Sequence, residues 1–99
     1  TQHHPDHVSA VNNLAWILAT HTNSDVRNGA EALRLARTLP IETEAAYADT
    51  LAAALAESGA FEEALEVING ALPHAEGSFL KKLTQRRQAY QQGKPWRSN

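Results

Sequence analysis

Cysteine is absent from the chain, and so is methionine. Without Cys there is neither a disulfide framework nor a thiolate zinc site, and the redox state of the compartment stays open. With no Met even at position 1, the 99 residues read as an excised or processed piece. Gly and Pro are sparse, five and four residues. No segment alternates apolar and polar residues with period two for more than a few positions, which argues against strands. No apolar run approaches the roughly 18 residues needed to cross a bilayer, and no charged-then-apolar leader stands at Thr1. A soluble piece without membrane insertion is expected, with cytoplasm and periplasm both open. Nine Lys and Arg against eleven Asp and Glu, with a pI near 6.2, lack the broad basic field of nucleic-acid modules, so no nucleic-acid partner is expected.

What is present is alanine, leucine and helical punctuation, in a chain long enough to bury roughly two-thirds of its unfolded surface without a staple. An all-α chain of about five helices is predicted. The first spans about 8–20, with Val11, Leu14, Ala15 and Leu18 on one stripe and Pro5 and Asp6 in its first turn. The polar cluster His21-Thr22-Asn23-Ser24-Asp25 ends it. Asn28 followed by Glu31 has the capping-box spacing and starts a second helix running to about Leu39, where Pro40 stops it. Thr43 is expected to cap a third helix to Glu57 or Ser58, with Tyr47, Leu51, Ala52 and Leu55 apolar and Ser58-Gly59 as the stop. A fourth carries Phe61, Ala64, Leu65, Ile68 and Leu72. Ser78 is expected to cap a fifth, closed by Gly93-Lys94-Pro95.

The chain also repeats itself. Pro5, Pro40 and Pro73 lie 35 and 33 residues apart, and Leu14, Leu51 and Leu83 lie 37 and 32 apart. Leu14-Ala15-Trp16-Ile17-Leu18-Ala19 parallels Leu51-Ala52-Ala53-Ala54-Leu55-Ala56, and Ala32-Leu33 parallels Ala64-Leu65. A helical hairpin recurring near 34 residues has the tetratricopeptide spacing. Leu51-Ala52, Leu55, Ser58-Gly59-Ala60-Phe61-Glu62-Glu63-Ala64, Ile68 and Ala71-Leu72 resemble that family's pattern most closely. The first unit departs from it by a link of about eight residues, 21–28, and Pro40 and Pro73 fall earlier than the family's closing Pro. Asn12-Asn13-Leu14-Ala15-Trp16, Asp49-Thr50-Leu51-Ala52-Ala53-Ala54 and Gly93-Lys94-Pro95-Trp96-Arg97 resemble the C-terminal repeats of long bacterial tetratricopeptide proteins.

The resemblance implies an α-solenoid of two hairpins plus a C-terminal capping helix. Residues 1–7 would end a truncated preceding repeat, 8–40 form a repeat with a long link, 41–76 a second repeat, 77–92 the cap and 93–99 a tail. It further implies a concave groove, lined by the first helix of each hairpin, that receives a peptide or protein segment. The family's groove-facing pattern falls on Ser9, Asn12, Trp16 and Thr20, then Ala46, Asp49, Ala53 and Glu57, and in the cap Lys81 and Gln85. Trp16, Asn12 and Asp49 would hold a peptide by aromatic packing and amide hydrogen bonds; the structural alternative for Trp16 is a platform under the 21–28 link. Asn12, Trp16 and Thr50 stand where the Lys, Asn and Arg clamp of chaperone-binding members is expected, so chaperone-tail binding is not.

Charge is sorted along the chain. From Thr38 to Leu80 there are eight acids and no Lys or Arg; from Lys81 onward there are six bases and no acid. Intramolecular pairing of a basic cap with an acidic repeat is the plainer account. The functional one is an acidic partner, anionic lipid or nucleic acid on the basic helix, with affinity falling steeply in salt. His3 and His7 lie one turn apart, but two imidazoles are too few for a zinc site, so no metal or cofactor is expected. No serine has a hydrolase context and no glycine-rich phosphate loop occurs, so no enzyme is expected. The function expected is a scaffold or adaptor that binds a peptide or protein. The alternative is a structural cap, or a homo-oligomer formed through Val8, Val11 and Leu18 on the first helix.

Overall fold

The computed structural model describes residues 5–98; residues 1–4, including His3 and His4, and Asn99 lie outside them. Five helices follow one another: α1 (Pro5–Thr20), α2 (Gly29–Ala36), α3 (Ala45–Glu57), α4 (Phe61–Ala71) and α5 (Gly77–Gln91), with a 3-10 turn at Leu72–His74. The described residues contain no strand, so the chain is all-α. Residues 5–7, expected to close a preceding repeat, form the first turn of α1.

Local signals account for most boundaries. The Asn28 side chain accepts a hydrogen bond from the Glu31 amide at 3.1 Å and caps α2. That helix ends about a turn before the expected Leu39, because the Thr38 and Leu39 amides bond three residues back, to Leu35 and Ala36, and tighten the chain ahead of Pro40. Two expected caps fail. The Thr43 hydroxyl donates to the Pro40 carbonyl at 2.7 Å, closing a turn, and Glu44 takes the extended cap position of α3 without a side-chain bond. In α5 the cap is Glu76, and Ser78 lies inside the helix.

Helix α3 is the centre of the molecule. Every residue from Ala48 to Ala56 is buried, as a helix surrounded by others must be. It packs against α1, α2 and α4, while α1 also packs on α2, and α4 on α5. Twelve of the eighteen buried apolar side chains among the described residues are Ala, which allows helix backbones to approach closely. Leu39, Leu51, Leu55, Ile68, Leu83 and Tyr90 fill the remaining volume.

The first helix keeps Val11, Ala15 and Leu18 of its expected stripe toward the core but turns Leu14 outward. Ala15 and Ala19 are buried and Val8, Val11 and Leu18 pack against the core, whereas Leu14 and Ile17 remain 47% and 44% exposed. The outward apolar surface of α1 is therefore Leu14 and Ile17, correcting the expectation of Val8, Val11 and Leu18. Alanine at positions 15 and 19 keeps the buried side of α1 small enough for close approach of its neighbours.

The exits of α3 and α5 share one geometry. After α3, Gly59 adopts φ +89°, its amide bonds the Ala56 carbonyl at 3.0 Å, and the Ala60 amide bonds Leu55 at 2.8 Å. After α5, Gly93 adopts φ +72°, with Gly93 to Tyr90 at 3.0 Å and Lys94 to Ala89 at 2.9 Å. Both are Schellman caps. The first turns the chain into α4. The second turns residues 94–98 back toward α1 and α3.

Candidate functional site

Spacing of four residues puts Asn12, Trp16 and Thr20 on one face of α1, and Asp49, Ala53 and Glu57 on one face of α3. Lys82, Arg86 and Tyr90 share a face of α5 in the same way. These three faces, with the segment after α5, form one cluster.

Its centre is a buried ion pair. Arg86 Nη1 donates to Asp49 Oδ2, joining α5 to α3 through residues 37 apart in sequence, and the two residues are only 8% and 5% exposed. The Arg86 guanidinium lies 4.7 Å from the ring centroid of Trp16 and 5.4 Å from that of Trp96, within cation–π range of both. Burial pushes the Asp49 carboxyl up to about 6; the charges of Arg86 and Lys82 and the hydrogen bond from Arg86 pull it down without overcoming desolvation. The Tyr90 hydroxyl is also pushed upward, first by burial and then by the charge of Asp49, with Arg86 opposing. Asp49 Oδ1, Arg86 Nε, Asn12 Oδ1 and the Tyr90 hydroxyl are buried without hydrogen-bond partners among the described residues. The cluster thus retains unused donors and acceptors.

A second group of charges lies at the C-terminal ends of α1 and α3. Glu57 holds two cations: Oε2 accepts from Arg27 Nε at 3.2 Å and Oε1 from Arg97 Nη1 at 2.7 Å. Arg27 also donates to the carbonyls of His21 and Thr22 at 2.8 and 3.3 Å, which folds the 21–28 link over its own guanidinium. The Asn28 amide reaches the Leu18 carbonyl at 2.8 Å. The link is therefore anchored by Arg27 and Asn28, while Trp16 meets Arg86. Finally, the Ser98 amide donates to the Thr20 carbonyl at 2.8 Å, supplying a partner to the last carbonyl of α1.

The expected site residues divide accordingly. Asn12, Trp16 and Glu57 are half-buried, and Thr20, Asp49 and Ala53 are buried. Thr20 turns its hydroxyl onto the Trp16 carbonyl at 2.7 Å. Ser9 is exposed on the second turn of α1, and Lys81 and Gln85 are exposed on α5, one step around the helix from Lys82 and Arg86. Ala46 borders a different cleft of about 750 Å³ at the start of α3, with Ile41, Glu44, Val67, His74 and Phe79. Arg86, Tyr90, Trp96 and Arg97 escaped the expected set. The charge inversion after Lys81 was the available signal for the arginines; nothing periodic points to Trp96.

Among the described residues no group of three or more His, Cys, Asp or Glu side chains is placed to hold a metal ion, and no helix is long and apolar enough to cross a membrane. Neither protein-family models, curated proteins nor solved structures match this chain.

Proposed function

We propose that the chain is a helical-repeat interaction module of tetratricopeptide type, whose α1 and α3 faces form a groove that binds an extended peptide or protein segment. The observation that carries this is the segment 96–98. It meets the C-terminal ends of the two helices through a backbone hydrogen bond to Thr20 and an arginine on Glu57, with its indole beside Arg86 of α5. Those are the bond types by which a groove holds an extended peptide. The packing of α1 on α3, first helix on first helix, supports stacked hairpins. The role is one of scaffold or adaptor.

A library of random extended peptides selected on the full chain tests it. Selected peptides should lose at least tenfold in affinity for Trp16→Ala and for Glu57→Gln, with helical circular dichroism preserved. Binding indifferent to both substitutions would count against the groove. A second reading, a structural segment that abuts another helical hairpin or a second copy, is favoured by Leu14. Its repeat counterparts Leu51 and Leu83 are 8% and 0% exposed, yet Leu14 is 47% exposed.

A further inference from the structure

We infer that residues 95–98 are an intramolecular ligand of the groove, and that the partner which replaces them is an extended peptide carrying an aromatic residue followed by arginine. This rests on the peptide-binding reading above and adds to it both the ligand chemistry and its regulation.

Three contacts specify that chemistry. The Trp96 ring lies 5.4 Å from the Arg86 guanidinium, which Asp49 holds in place and which Trp16 also contacts at 4.7 Å. Arg97 reaches Glu57, whose second oxygen is already fixed by Arg27. The Ser98 amide takes the free carbonyl at the end of α1. An aromatic ring, a cation and a main-chain amide are therefore read in succession, by a cation, a carboxylate and a helix end.

Each contact is weak alone. The Arg97–Glu57 pair is partly open to solvent, and the remaining contacts are one backbone bond and the Trp96 ring, half-buried between Arg86 and the edge of the core. The tether adds to these contacts. The Gly93 turn delivers it from the end of α5, and a short tether gives an effective concentration on the order of millimolar. A free peptide of the same chemistry must compete with that, so the intact chain is a closed form of the module.

Fluorescence polarisation of a labelled peptide spanning residues 93–98, titrated with the full chain and with its Trp96→Ala/Arg97→Ala variant, tests the inference. The variant, with its groove vacated, should bind the peptide saturably. The unsubstituted chain should bind at least tenfold more weakly, and a peptide carrying the same two alanines should not bind. Equal affinity for both chains would overturn the inference while leaving a peptide groove in place. No saturable binding by a variant of unchanged helicity would overturn it too. In that case continued Trp16-dependent capture of library peptides would preserve the groove, and its loss would remove both. Should the double variant lose helicity, Arg97→Glu replaces it in the same titration with the same outcomes.

Discussion

Asp49 is the residue at which two opposing electrostatic effects have been weighed by the fold. Its carboxylate has an arginine partner, yet its pKa lies above the ordinary value, at about 6, because burial at 5% exposure costs the charge more than Arg86 and Lys82 return. The consequence for stability has a definite sign. The unfolded carboxyl titrates near 3.8, so between there and about pH 6 the folded chain holds a proton that the unfolded chain has released. The contribution is favourable below the unfolded value and is lost as pH rises through about 6. At about 1.4 kcal/mol per unit, the difference is at most ~3 kcal/mol. Asp49→Asn removes this titration, whatever constant cost the amide carries beside Arg86. Thermal melts at pH 7.5 and pH 5 should therefore show the variant faring better relative to the parent at the higher pH. An identical difference at both values would mean that Asp49 titrates as an exposed carboxyl.

At the scale of elements, the two glycine caps separate what joins the core helices from what places the C-terminal segment. Gly59 and Gly93 both sit at positive φ, and a Cβ built on either meets nothing within 4 Å, so alanine is penalised there only by the backbone. That penalty is about 1–2 kcal/mol. Gly59→Ala is expected to lower the thermal midpoint, because the turn it strains joins two core helices. Gly93→Ala should instead release residues 94–98, leaving the midpoint little changed and making Arg97 several times more susceptible to trypsin. A large loss of midpoint in Gly93→Ala would show that the segment is part of the cooperative core. These glycines were legible in the sequence, as were the Asn28 cap and the helix count, since each depends on neighbours three or four residues away. Thr43 and Ser78 do not cap their helices, because Ser and Thr hydroxyls serve turns and helix interiors equally well. The cluster around Asp49 and Arg86 was only half legible. Spacing places Asp49 with Glu57 and Lys81 with Gln85, but it does not give the rotation of α5 against α3, and that rotation turns Arg86 inward instead of Lys81. Trp96 meets Arg86 and Arg97 meets Glu57 through a chain reversal at Gly93, which no periodicity records.

For the whole molecule, charge and apolar surface are distributed on different principles. The acidic middle and basic end of the chain are partly consumed internally, in Asp49 with Arg86 and Glu57 with Arg97, while Lys81, Lys82 and Lys94 stay exposed. The apolar surface has no such resolution on α1. Leu14 and Ile17 are neighbours one turn apart, both more than two-fifths exposed, and on the structural reading proposed above this apolar pair is where another helix would pack. At the equivalent repeat positions, Leu51 and Leu83 are covered. If a second copy takes the place of that cover, light scattering over a concentration series should show the apparent mass rising above one chain. Leu14→Lys with Ile17→Lys should hold the mass at one chain across the same range without loss of helicity, because neither side chain belongs to the core. A strict monomer at millimolar concentration would exclude self-pairing through α1. Association that persists in the lysine variant would place the contact elsewhere, with Leu80, 39% exposed on α5, the next surface to substitute.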